Sequence, residues 1–219
     1  MKFLFIGLYV LGIYGAFIAG SIQLRSSVET ASEFKTKLRF PKSTILLIFL
    51  VAIPSAVQIF HPAILFLLQR DFPRFMQGEW WRLITPLFVQ DGGIAGTGFN
   101  LTSLLLVGIL AEQLWGSLPV LLIFFIGGMI GEIAGFAWQP VGAGNSVANF
   151  ALAGSILVAC LLHKPGKPVL IFLLATMSVY LLLIGIQDIH GVAAAAGMLV
   201  ALVFGFLFQW APKAQNGNG

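Results

Sequence analysis

Charge is what this sequence has least of. Only 9% of its 219 residues are Asp, Glu, Lys or Arg, against about 25% in a soluble domain. That excludes an ordinary soluble protein and leaves little chain for a separate soluble domain. A single cysteine, Cys160, excludes an internal disulfide and a cysteine-built metal cage; within LVACLL it reads as packing. No internal repeat is visible, which argues against the many carriers built from duplicated halves. The net charge of +4 comes from Lys and Arg clustered largely in one loop, a topology signal and not a nucleic-acid footprint. What remains is apolar: 58% of the chain is hydrophobic and mean hydropathy is +0.97. This composition belongs to an all-α, polytopic membrane protein, with room for seven spans of about 20 residues.

Apolar runs predict helices near 3–22, 44–60, 98–115, 118–138, 146–162, 168–185 and 189–210. Between the first two lies a polar stretch carrying Arg25, Lys35, Lys37, Arg39 and Lys42; Lys164 and Lys167 form the next linker on that side, and Lys213 lies in the tail. Placing these inside puts eight of the twelve Lys and Arg on the cytoplasmic face of a plasma membrane. The N-terminus then starts outside and the C-terminus ends in the cytoplasm. The first run begins like a signal peptide, with Met1-Lys2 and later Ala19-Gly20. Its apolar core is longer than usual, and cleavage would strand the basic stretch outside, so a retained helix is expected. Residues 1–43 thus form an N-terminal helix and basic loop, 44–210 a membrane domain, and 211–219 a short tail. The segment from His61 to Phe88 mixes apolar residues with Arg70, Asp71, Arg74, Glu79 and Arg82 beside Trp80-Trp81. It reads as a structured loop half-sunk in the outer interface.

Two polar residues sit where polarity is costly: Ser146 in Gly144-Asn145-Ser146, and His190 in Asp188-Ile189-His190-Gly191. At a rise of ~1.5 Å per residue, Ser146 stands ~25 Å above the inner boundary at His163. His190 stands ~30 Å above Trp210, within about a turn of the same height. On the last helix Ala193, Gly197, Ala201 and Gly205 recur every four residues, and His190 precedes that stripe by three. Small residues at this spacing let helices approach closely in lipid. On the serine helix Ser146, Phe150 and Gly154 share a face, and Gly127, Gly131 and Gly135 make a second small-residue seam. A serine needs an adjacent base to become a nucleophile, and the attack creates an oxyanion needing preorganised donors. Asn100 and the Ser146 N–H, at a helix start, are candidates.

These residues resemble the rhomboid intramembrane serine proteases, over about 44–210, with 3–22 as an added helix. Trp81-Arg82 before Thr85-Pro86 is similar to the family's first-loop motif. Asn100 and Glu112 match its second span, Gly144-x-Ser146 with Gly154 its fourth, and His190 with Gly197 its last. The resemblance implies a Ser146–His190 dyad, an oxyanion site at Asn100, no metal or cofactor, and transmembrane proteins as substrates within the lipid bilayer. It leaves the oligomeric state open. Three positions depart from the pattern. Gly96 stands where the family has a histidine, with Gln90, Thr97 or a water as substitute donors. Val147 and Ala193 stand where glycine is usual. Sliding the last motif one turn would put Ala194 at the histidine position and imply a non-catalytic relative that binds transmembrane helices. A third reading, a small-solute carrier, rests on Glu132 in the glycine-rich GGMIGEIAG.

Blander readings apply to the remaining polar residues. Ser103 and Ser155 are expected to bond back to their own helix, and His61 and His163 to lie at the interface. Ser146 itself could cap its helix, as could Asn145. Asp188, two residues before His190, is expected to cap the last helix, its side chain pointing away from the histidine. Glu112, beside Trp115, is expected to bond a loop amide, and the Trp80-Trp81-Arg82 cluster to brace the interfacial loop.

Overall fold

The computed structural model describes residues 2–26 and 38–207. Lys35, Lys37, Trp210, Lys213 and the tail, on which part of the topology expectation rests, lie outside them. The chain is an all-α membrane protein. Its long helices are α1 (Lys2–Ser26), α2 (Lys42–Phe60), α5 (Gly93–Trp115), α6 (Ser117–Trp138), α7 (Ser146–Leu162), α8 (Lys167–Gly185) and α9 (Ile189–Leu207). Six are long and apolar enough to cross a membrane, and α7 is a shorter apolar helix of 17 residues. Most termini fall within a turn of the apolar runs. The exceptions are informative: α1 continues to Ser26, and α5 begins at Gly93, taking in the glycine cluster that reads as loop. Each glycine costs a helix roughly 1 kcal/mol. Here the Thr97 hydroxyl bonds the Gly93 carbonyl at 2.7 Å, and the first turn continues into an apolar helix already anchored by packing.

The 61–88 segment folds into the short helices α3 (Ala63–Leu68) and α4 (Phe72–Met76) and two 3₁₀ turns, Trp80–Leu83 and Thr85–Phe88. Arg82 is its hub. Fully buried, it donates to the carbonyls of Phe66 and Gln69 at 3.0 and 2.7 Å and pairs with Glu79. Trp80 and Trp81 stay exposed, as an interfacial loop requires. A two-residue antiparallel ladder, β1 (Arg70–Asp71) on β2 (Val141–Gly142), ties this loop to the approach to α7.

Residues 147–160 of α7 are all buried, so this helix is encircled by its neighbours. Its contact with α9 is set by missing side chains. A Cβ on Gly197 would lie 2.0 Å from the Ala151 carbonyl oxygen, and one on Gly154 would lie 2.2 Å from that of Ala194. The second seam works likewise, Gly127 over Ala151 and Gly131 over Val147 and Ala193. At the opposite end from Ser146, Glu112 accepts from the amides of Ser43 and Thr44 and the hydroxyls of Thr44 and Ser117, fixing α2 to α5. Ser155 bonds back to the Leu152 carbonyl. Ser103 does not: its buried hydroxyl has no hydrogen-bond partner among the described residues.

Gly197→Ala should force α7 and α9 apart and cost about 1–3 kcal/mol by overpacking. Gly7→Ala, at a site with no atom within 4 Å, should leave thermal unfolding in detergent unchanged or slightly improved. Equal melting temperatures for the two variants would contradict this account.

Candidate active site

The approach to α7 turns sharply at Gly144, whose φ of +142° suits glycine. Its N–H bonds the Pro86 carbonyl at 2.9 Å. A side chain here would also intrude: the Asn100 Nδ2 and the Ser146 Oγ each lie 3.3 Å from where its Cβ would stand. Asn100 and Ser146 therefore face one small space. Neither Ser146 nor Asn145 caps α7 through its side chain. The Ser146 hydroxyl is instead 2.9 Å from His190 Nε2. Ala194, the alternative partner in the shifted register, packs on Gly154.

The other face of the imidazole departs from expectation. Asp188 does cap α9, its Oδ1 accepting from the His190 N–H at 2.9 Å, but the same oxygen also accepts from His190 Nδ1 at 2.7 Å. On a regular helix the two side chains would diverge. Asp188 lies before α9 begins, after Gln187 at φ +58°, so helical geometry does not hold there. With Nδ1–H held by the carboxylate, Nε2 is left to accept from Ser146. Burial alone would raise the Asp188 pKa, yet the hydrogen bonds from His190 and Tyr9 hold it down to about 2. The ring of His190 is covered by Tyr9, with centroids 4.3 Å apart, and by Phe150 at 5.0 Å.

Asn100 donates one amide proton to Gln90 Oε1 at 2.8 Å, leaving its second free. Gln90 in turn donates to Asn145 Oδ1, and its backbone is clamped by Gln58. Gln90 thus orients Asn100 and Asn145 and does not itself point a donor at the serine. Thr97 is likewise committed, to the Gly93 carbonyl. Among the described residues nothing lies within 4 Å of a Cβ placed on Gly96, so the space there is open.

Ser146, His190 and Asn100 line a cavity of about 860 Å³, walled also by Phe5, Tyr9 and Phe99. At its edge, Arg70 and Glu132 form a buried ion pair at 2.5 Å, and Arg70 Nε donates to the Gln139 carbonyl. This gives Glu132 a partner the sequence does not identify, and ties the interfacial loop to α6. Trp81 donates its indole N–H to the Leu67 carbonyl of that loop at 3.4 Å. Among the described residues no three His, Cys, Asp or Glu side chains converge as a metal cage would require. Tyr9 and Arg70 are the site neighbours that sequence reasoning misses. The one available signal for Tyr9 is a hydroxyl near the outer end of an apolar run.

The sequence pattern of the Rhomboid domain matches residues 77–212, more than half of the chain. Residues of this chain are 42% identical over 89 positions to the rhomboid protease GluP of Bacillus subtilis (strain 168), covering 40% of this chain and 17% of that protein. They are 36% identical over 90 positions to the putative rhomboid protease YdcA of the same organism, covering 40% and 45%. The mitochondrial RHOMBOID-like protein 6 of Arabidopsis thaliana is 28% identical over 151 positions, covering 66% and 49%. The chain thus spans less than half the length of each of these relatives.

Two measurements check the electrostatics. Arg70→Met should cost about 3–5 kcal/mol by stranding Glu132, and adding Glu132→Leu should recover most of that loss in thermal unfolding. Asp188 has its folded pKa below the ordinary 3.8, so its stabilising contribution is whole above that value and is lost as pH falls toward about 2. The melting temperatures of wild type and Asp188→Asn, separate at neutral pH, should therefore converge in acid.

Proposed function

This chain belongs to the rhomboid family of membrane proteins, and on that footing we propose that it is a serine endopeptidase cutting peptide bonds in or near transmembrane segments. The observation that carries the reading is the 2.9 Å contact between Ser146 Oγ and His190 Nε2 inside a cavity. His190 Nε2 takes the hydroxyl proton as Oγ attacks the peptide carbonyl. The resulting oxyanion lies toward the free Asn100 amide proton and the Ser146 N–H. His190 then gives its proton to the departing amine, leaving an ester on Ser146. Water, deprotonated by His190, hydrolyses that ester and releases the carboxylate product. With open space at Gly96, the oxyanion relies on fewer donors; one donor is worth about 10²–10³ in rate, so slow turnover is expected.

The topology proposed is N-terminus outside and C-terminus cytoplasmic in a plasma membrane, with residues 44–210 as the catalytic unit. Ser146 and the interfacial loop then lie on the outer side. Substrates are membrane proteins whose helix unwinds locally, since an extended backbone must reach Ser146. The open space at Gly96 favours one other reading, an inactive relative that binds transmembrane helices.

Purified protein in liposomes, offered single-span reporters, should cut at least one of them. Ser146→Ala and His190→Ala should each lower cleavage by at least about 10³-fold, and a fluorophosphonate should label wild type at Ser146 only. Folded protein that neither cuts nor labels would favour the helix-binding relative.

A further inference from the structure

The N-terminal helix is fastened to the core in a single register. A Cβ on Gly12 would lie 2.7 Å from Phe150, one on Gly15 2.3 Å from the Thr176 hydroxyl, and one on Gly20 2.5 Å from Ile156. Ala16 and Ala19 between them are fully buried. Tyr180 on α8 donates its hydroxyl to the Gly12 carbonyl at 2.9 Å, which fixes the height of α1. Sliding α1 by a turn would bring larger side chains onto these contacts. That register sets Tyr9, one turn before Gly12, against the imidazole of His190.

Tyr9 makes two contacts there. Its ring covers the imidazole at a centroid distance of 4.3 Å. Its hydroxyl donates to Asp188 Oδ2 at 2.6 Å, while Asp188 Oδ1 holds both the backbone N–H and the Nδ1 of His190. Asp188 is 1% exposed, and the other donor to Oδ2 is the Gln139 amide, at a long 3.5 Å. A buried carboxylate oxygen so poorly served is costly to leave unpaired. The Tyr9 hydroxyl therefore decides how firmly, and in which rotamer, Asp188 holds the histidine.

We propose that Tyr9 of α1 and Asp188 are positioning residues for the Ser146–His190 pair, so that the N-terminal helix completes the active site. The proposal rests on the protease reading above. A proton leaving Ser146 creates an imidazolium whose Nδ1–H faces Asp188 and whose ring faces the π-surface of Tyr9, both of which favour the positive form. The titratable and charged groups around it are Asp188, Tyr9, Ser146 and Tyr180, whose hydroxyl turns away to Gly12. Arg70 and Asp91 lie across the cavity, and Glu132 is paired with Arg70.

Two near-isosteric variants separate positioning from packing. Asp188→Asn keeps an acceptor for the cap and for Nδ1 but removes the charge. The acid limb of its kcat/KM profile should move to lower pH, because the imidazolium loses its counter-charge, and kcat should fall on the order of 10²–10⁴-fold. Tyr9→Phe keeps the ring and removes only the donor. Asp188 then carries a less dispersed charge toward His190, so the acid limb should move the opposite way, to higher pH, with kcat down about tenfold and KM unchanged. Rates are taken per site that a fluorophosphonate labels at completion, which counts only folded, competent protein. Opposite displacement of the two acid limbs is the result expected. Unmoved limbs, or a Tyr9→Phe rate equal to wild type, would overturn the proposal, as would a loss matched wholly by a fall in labelled sites. Wild type that fails to label at Ser146 would instead sink the protease reading itself.

Discussion

Everything at the polar end of this protein depends on how closely α7 and α9 approach. In lipid there is no water to drive apolar faces together, so helix contacts rest on packing and on the polar groups left between them. At Gly154 and Gly197 the backbone of one helix meets the carbonyl oxygens of the other with no room for a Cβ. That contact carries the N-terminal ends of both helices to one place. Ser146 and His190 are each within the first two residues of their helices, so the spacing of the backbones is passed directly to the 2.9 Å between their side chains. Seams from α6 and α1 support the same helix from other sides, again through glycine and alanine.

The polar network is layered on that frame, and its members divide by how they are held. Gln58, Gln90, Asn145 and Asn149 make a connected amide cluster around Asn100, whose own carbonyl accepts from both asparagines. Each amide constrains the next, which is how a flexible side chain such as Asn100 can present one proton in a fixed direction. Arg82 and the Arg70–Glu132 pair act on a larger scale. They hold an irregular loop rigid by satisfying carbonyls and a carboxylate that would otherwise be buried without partners.

Much of this was legible in the sequence because membrane helices announce themselves by length and apolarity. Serine and histidine at equal height, beside stripes of small residues, then identify which helices must meet. Glu112 was legible for a similar reason, since an ionisable residue near a helix end needs nearby amides. What escaped depends on backbone departures and long-range contacts. Asp188 reaches His190 because Gln187 leaves the helical region, a local event that helical periodicity cannot register. Tyr9 lies 179 residues from its partner in the chain. Arg70 and Glu132 meet through an irregular loop. The glycines at 93–98 are helical against their own propensity because they extend the firmly packed apolar helix that continues to Trp115.

The burial of α7 has a mechanical side. A helix that touches lipid takes its tilt partly from the thickness of the bilayer, because its apolar length must be matched to the hydrocarbon around it. With residues 147–160 enclosed by protein, α7 has almost no lipid-facing surface to match. Changes in bilayer thickness act first on α2 and α8, whose outward faces expose Phe49, Ile53, Ile171 and Leu174. Those helices can tilt or shift around α7, whose packing on α9 is fixed by the Gly154 and Gly197 contacts. The spacing of Ser146 and His190 is thereby insulated from the thickness of the bilayer that surrounds them.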